Sequence, residues 1–164
     1  MQNSLAMPQI YSFISRWQVK APIEDVWKLI YDSEKWPEWW HSVVEVKEIH
    51  TGDSRGIGSI RVYKMRSPML YTLSFNMTLT NREDLKHLKG NASGDLEGTG
   101  AWYVNEKEGV TDIQCHWRVS TTKWWMNSFA FVLKPLFRYN HAAVMKDGGI
   151  SLGKKLSTSV TIIS

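Results

Sequence analysis

From Val43 to Thr122 the sequence is a succession of strand-like runs with short punctuation, and after that its period changes. The runs are Val43–His50, Ile57–Arg66, Leu70–Arg82, Leu85–Ser93, Leu96–Glu106 and Thr111–Thr122, separated by "TGDSRGIG", "NRED", "ASGD" and "NEKEG". Connections this short force antiparallel neighbours, because a parallel crossover needs a dozen or more residues. The segment "MNSFAFVLKPLFRYNHAAVMKDGGISLGKKL" then repeats at helical spacing, with Phe129, Val132, Leu133, Leu136, Phe137, Asn140 and Val144 on one stripe. Pro135 lacks an N–H and predicts a kink or the start of the main part, and Gly148-Gly149 predicts a weaker stretch beyond. A helix of about 20 residues or more runs ~30 Å, long enough to cross a whole sheet.

Upstream, Ile10–Lys20 alternates, with Tyr11, Phe13, Trp17 and Val19 on one face of a half-buried strand. A helix follows from Pro22 to Tyr31. Pro22 suits its first turn, Glu24 and Asp25 suit its positive end, and Ile23, Val26, Trp27 and Ile30 form its apolar stripe. Next comes "KWPEWW", Lys35 to Trp40, which fits neither a clean helical stripe nor strand alternation and reads as a connection. The order predicts an α+β chain, read as a single domain over residues 1–164. A curved antiparallel sheet of about seven strands wraps around the long C-terminal helix, the one element large enough to cover its inner face.

Composition narrows the function. The chain has 164 residues, 43% hydrophobic and 22% charged, which is globular rather than disordered. No run of about 18 apolar residues exists, so integral membrane association is not expected. "MQNSLAMPQIYSF" lacks the basic and apolar regions of a signal peptide. The single cysteine, Cys115, permits no internal disulfide and reads as a buried inert thiol on a strand, consistent with a cytoplasmic location. A net charge of +4 with scattered cations gives no concentrated footprint for nucleic acid. There is no nucleophile elbow, P-loop, dinucleotide fingerprint, paired Cys-x-x-Cys or paired catalytic carboxylates, so hydrolase, kinase and dehydrogenase readings fall away and no metal is expected.

The segments "APIEDVWKLIYDSEKWPEWW", "GDSRGIGS" and "GTGAWYVNEKEGVTDIQCHWRV", with this order of elements, resemble the START-like (helix-grip) superfamily. Within it the resemblance is to the polyketide cyclase/dehydrase and lipid transport group, and it covers roughly Tyr11 to Leu156. "TTKWWMNSFAFVLKPLFRYNHAAVMKDGG" further resembles a bacterial subgroup of that kind. The resemblance implies a hydrophobic cavity between sheet and long helix and no obligatory cofactor. For function it is permissive, since the scaffold serves cyclases, dehydratases, lipid carriers and sensors.

Candidate residues follow from pattern and resemblance together. Walls are expected from Trp17, Trp27, Tyr63, Phe75, Trp102, Trp117, Leu133 and Phe137. Asn140 and His141, on or beside the apolar stripe, either bond the sheet structurally, or His141 faces solvent, or both enter the cavity and orient a ligand carbonyl or hydroxyl. In the last case His141 is a candidate general acid or base. Arg16, Arg61, Tyr63, Tyr71, Trp102, His116 and Arg118 are the other strand candidates; Arg61 and Tyr63 share one face and are cavity groups if it is concave, solvated if it is convex, while His116 and Arg118 run in phase with Gln114 and Ser120 as a water-facing set. For Trp36, Trp39 and Trp40 three readings stand: at least two plug the core, one lines or gates the cavity mouth, or they dip into a membrane.

The functional expectation is binding of a hydrophobic small molecule of the lipid, polyketide or isoprenoid type by a monomer or homodimer. The alternatives are a polyketide cyclase/aromatase or dehydratase working by acid/base chemistry, and an interaction module without a ligand.

Overall fold

The computed structural model describes residues 8–68 and 72–163. Eight strands form a single antiparallel sheet in the order β2-β3-β4-β5-β6-β7-β1-β8. They are β1 (Ile10–Val19), β2 (Val43–His50), β3 (Ile60–Arg66), β4 (Thr72–Glu83), β5 (His87–Gly94), β6 (Leu96–Lys107), β7 (Val110–Thr121) and β8 (Val160–Ile163). The sheet is curved and unclosed, and the helix-grip arrangement is present. Helix α1 (Ile23–Tyr31) follows β1, while α2 (Trp124–Ser128) and the long α3 (Ala130–Lys155) follow β7.

Several expectations need correction. To the seven expected strands the structure adds an eighth, because Val160–Ile163 returns to pair with Arg16–Val19 on the edge of β1. "KWPEWW" is not an irregular connection but most of a short 3-10 helix, Ser33–Glu38, whose last turn is closed by Trp39 and Trp40 N–H bonds to the Trp36 carbonyl. The β4–β5 turn lies later than "NRED", with Leu85 in the left-handed region at φ 61°, so β5 starts at His87. The expected start of the third run at Leu70, and the candidate Tyr71, lie outside the described residues.

Gly148-Gly149 does not weaken the helix; α3 runs through both. A Cβ on Gly148 would stand 2.4 Å from the Trp40 ring, and one on Gly149 would stand 3.0 Å from the Trp17 indole nitrogen. The missing side chains let two tryptophans nest against the helix backbone, and that burial outweighs the ~1 kcal/mol propensity cost of a helical glycine. Trp40 is 1% exposed and donates its indole N–H to the Val144 carbonyl at 3.1 Å. Asp147 accepts from both the backbone and the hydroxyl of Ser42, at 2.8 and 2.6 Å. The tryptophan-rich turn is thus riveted to the second half of α3.

The candidate cavity between sheet and long helix

Strand parity sets the inner surface. Odd residues of β1, β3, β4 and β7 and even residues of β5 and β6 point towards α3, enclosing a cavity of about 230 Å³. Its floor is aromatic. Tyr63 stacks on Phe75 (5.6 Å, 6°), Phe75 meets Trp117 at 5.4 Å, and Trp36 meets Trp102 at 5.9 Å. Trp117 can lie across β6 because Gly100 is there: a Cβ at that position would come within 2.6 Å of its ring.

One end of the cavity is polar. Arg61 donates to the Tyr31 carbonyl (3.0 Å) and to the Ser33 hydroxyl (2.9 Å), and its Nε stands 3.4 Å from a Glu48 carboxylate oxygen. The Ser33 hydroxyl lies 2.7 Å from the Tyr63 phenol. Burial raises the pKa of that phenol above its ordinary value, with Ser33 and Arg61 partly opposing the shift. Tyr63 therefore stays protonated and available as a hydrogen-bonding group.

The other end carries the two polar residues of the helix. Asn140 is buried and His141 half-buried, and both line the cavity. The His141 ring stacks on Phe13 with centroids 4.5 Å apart and planes 18° apart. This apolar setting removes solvent from the imidazolium form and pushes the His141 pKa down to about 4. At neutral pH the ring is therefore uncharged, offering one donor and one acceptor nitrogen. Cys115 also lines the cavity, and burial pushes its thiol up to about 12.

Of the residues expected as walls or binding groups, Arg61, Tyr63, Phe75, Trp102, Trp117, Phe137, Asn140 and His141 line the cavity. Trp17, Trp27 and Leu133 do not. Trp17 points inward but sits behind Trp40 and Trp102, with ring centroids at 5.7 and 5.5 Å. Trp27 is buried in the core on α1, stacked on Tyr31 at 6.4 Å. Leu133 packs on the cluster of Tyr11, Met126 and Phe137. Arg16, His116 and Arg118 lie on the convex face, where Arg16 pairs with Asp112 and His116 with Gln114. Trp36 and Trp40 satisfy two readings at once, for both are buried in the core and both line the cavity. Phe13, Met65 and Met77 were missed as walls, although each is in phase with an inward residue already identified on its strand.

The family described as polyketide cyclase / dehydrase and lipid transport matches residues 13–148, which includes nearly all of the sheet and the cavity-facing length of α3. The chain belongs to this family. No curated protein sequence matches the chain. A START superfamily protein from Mycobacterium smegmatis superposes with a TM-score of 0.70 at 11% identity, over 90% of this chain and 97% of that one. The Zhui aromatase/cyclase from Streptomyces sp. R1128 gives 0.65 at 12% identity, over 89% and 93%. The di-domain ARO/CYC StfQ of the steffimycin biosynthetic pathway gives 0.61 at 12%, with 90% of this chain covered. The chain spans about half of StfQ, 52% of its length. At these identities the likeness is one of fold. Membership of the polyketide cyclase / dehydrase and lipid transport family accounts for the cavity's position between sheet and helix and leaves its contents open.

Proposed function

We propose that the protein binds a hydrophobic small molecule of the lipid, polyketide or isoprenoid class in the cavity under α3. The observation that carries this is the cavity of about 230 Å³ with an aromatic floor, a mostly apolar lining and a few polar groups, among them Arg61, Tyr63, Asn140 and His141. Its size falls somewhat below the usual ~300–1,000 Å³ of small-molecule pockets, while its mostly apolar lining with few oriented polar groups is their usual composition. In this reading Asn140 and His141 hold one oxygen of the ligand, and Tyr63 with Arg61 holds another. The reading includes a cytoplasmic location, supported by the lone unpaired thiol, and a monomer or homodimer that uses no cofactor or nucleic acid.

Native mass spectrometry of freshly purified protein tests it. The expected result is a discrete bound mass, released on denaturation and identifiable as an apolar compound. A clean unliganded mass that also ignores a panel of lipids and polyketides would overturn the proposal.

A second reading, cyclisation or dehydration of a carbonyl compound, is favoured by His141 lining the cavity. Its low pKa weighs against it, because an acid/base group works best with a pKa near the working pH. We therefore rank carriage above catalysis. His141→Ala should leave ligand affinity within about tenfold, the loss of roughly one hydrogen bond. If turnover exists, the same variant should abolish it. The interaction-module reading requires a filled interior, which the cavity opposes, and an exposed apolar patch, which is present.

A further inference from the structure

The segment from Lys123 to Tyr139 separates two apolar surfaces. On its inner side Met126 and Phe137 are buried against Tyr11, and Tyr11 and Phe137 line one end of the cavity. On its outer side Trp124 is 77% exposed, Phe129 59% and Phe131 90%, with Trp125, Val132 and Tyr139 also exposed. At 3.6 residues per turn, Phe131, Val132, Pro135 and Tyr139 fall within about 100° of arc, opposite Leu133, Phe137 and Asn140. A contiguous aromatic patch of this kind marks an interaction surface.

Its charge identifies the partner. Between Asp112 and Asp147 the sequence contains no acidic residue, yet it contains Arg118, Lys123, Lys134, Arg138 and Lys146. Lys123 lies 3.5 Å from Asp95, while Lys134 and Arg138 are exposed beside the aromatic residues. A second copy docked through this face about a two-fold axis would set these cations against their own equivalents. An anionic surface would complement them. Exposed tryptophan and phenylalanine beside basic side chains suit the boundary between lipid headgroups and acyl chains. No described helix is long and apolar enough to span a bilayer, so any membrane contact through this segment is interfacial.

We propose that the outer face of α2 and the first turns of α3 docks on a lipid bilayer bearing anionic headgroups. Trp124, Trp125, Phe129 and Phe131 enter the interface, and Lys134 and Arg138 meet the lipid phosphates. Docking brings the part of α3 that covers Tyr11 and Phe137 to the bilayer, with the helix standing between the lipid and that side of the cavity. The docking rests on the patch alone; only its use, passing an apolar ligand between bilayer and cavity, rests on the ligand-binding reading.

Flotation of the purified full chain with vesicles tests this, one set of phosphatidylcholine and one of phosphatidylcholine mixed with phosphatidylglycerol. The protein should float with the mixed vesicles, bind phosphatidylcholine far more weakly, and lose binding in high salt. Each surface cation contributes about fivefold, so Lys134→Gln with Arg138→Gln should weaken binding to the mixed vesicles by about twenty-five-fold. Trp124→Ser with Phe131→Ser should reduce binding to both vesicle types at least tenfold, leaving melting temperature and any co-purified ligand unchanged. Three results would overturn the proposal: no flotation with mixed vesicles, variants that float like the parent chain, or a parent dimer that Trp124→Ser with Phe131→Ser converts to a monomer. The last would assign the patch to a second copy of the chain. A clean unliganded mass together with normal flotation would remove the ligand and leave the docking standing.

Discussion

The two halves of α3 have the same secondary structure and opposite surroundings. From Val144 to Lys155 the helix is held on several sides: Trp40 and Trp17 nest against Gly148 and Gly149, Leu152 is 0% exposed, and Asp147 grips Ser42. From Ala130 to Tyr139 only one stripe, including Leu133 and Phe137, is covered, while Phe131 and Tyr139 project outward. The second half is built by packing and the first by what it separates. Stability is therefore concentrated at one end of the helix, and the other end is free to serve the surface.

The comparison can be broken most severely at Trp40. Trp40→Ala should cost about 3–5 kcal/mol, the usual loss for a large buried aromatic, read by urea denaturation. A loss below about 0.5 kcal/mol would mean that the tryptophan turn does not anchor the helix.

Acid exposes a second weakness, in the boundary between the halves. His141 has a folded pKa of about 4, against about 6.5 when exposed. The unfolded chain binds the proton more readily, so the stabilising contribution is complete above about pH 6.5 and is lost as pH falls towards about 4. His141→Phe keeps an aromatic ring against Phe13 and removes the proton site. It should spare about 3 kcal/mol of acid destabilisation, seen as a flatter dependence of the denaturation midpoint on pH. An unchanged slope would mean that the ring is solvated.

Gly148→Ala sharpens the contrast, because two effects compete. Alanine gains about 1 kcal/mol of helix propensity, but its Cβ would stand 2.4 Å from a Trp40 ring that Trp17, Trp36, Trp39 and Trp102 hem in. Overpacking should win, for a net loss of about 1–2 kcal/mol. A more stable variant would show that Trp40 can shift. At the other end of the helix, Trp124→Ser should change stability by less than about 0.5 kcal/mol.

Local pattern made most of the fold legible. Alternation located β1, and strand-like runs between short punctuation located β2, β6 and β7, to within one or two residues. The short strand β8 escaped because "VTII" has four residues and its partner, β1, lies at the far end of the chain. The 3-10 helix was obscured by Pro37, although Trp36 and Trp40, four residues apart, carried the signal. In the cavity, parity brought Arg61, Tyr63 and Phe75 to the right face, but it reports direction and not depth. That is why Trp17, which points inward, stood as an expected wall although Trp40 and Trp102 screen it. Gly148 and Gly149 read as weak helix because their use depends on tryptophans more than 100 positions away in the sequence.

Cys115 gives the chain an internal reporter. It is the protein's single thiol, it sits inside the cavity, and with a pKa of about 12 it is almost entirely unreactive while covered. An alkylating reagent can therefore reach it only through the cavity or when the chain unfolds. The modification rate measures how often the interior opens, without any engineered label, and a bound ligand or a vesicle added to the reaction would be read as a change in that frequency.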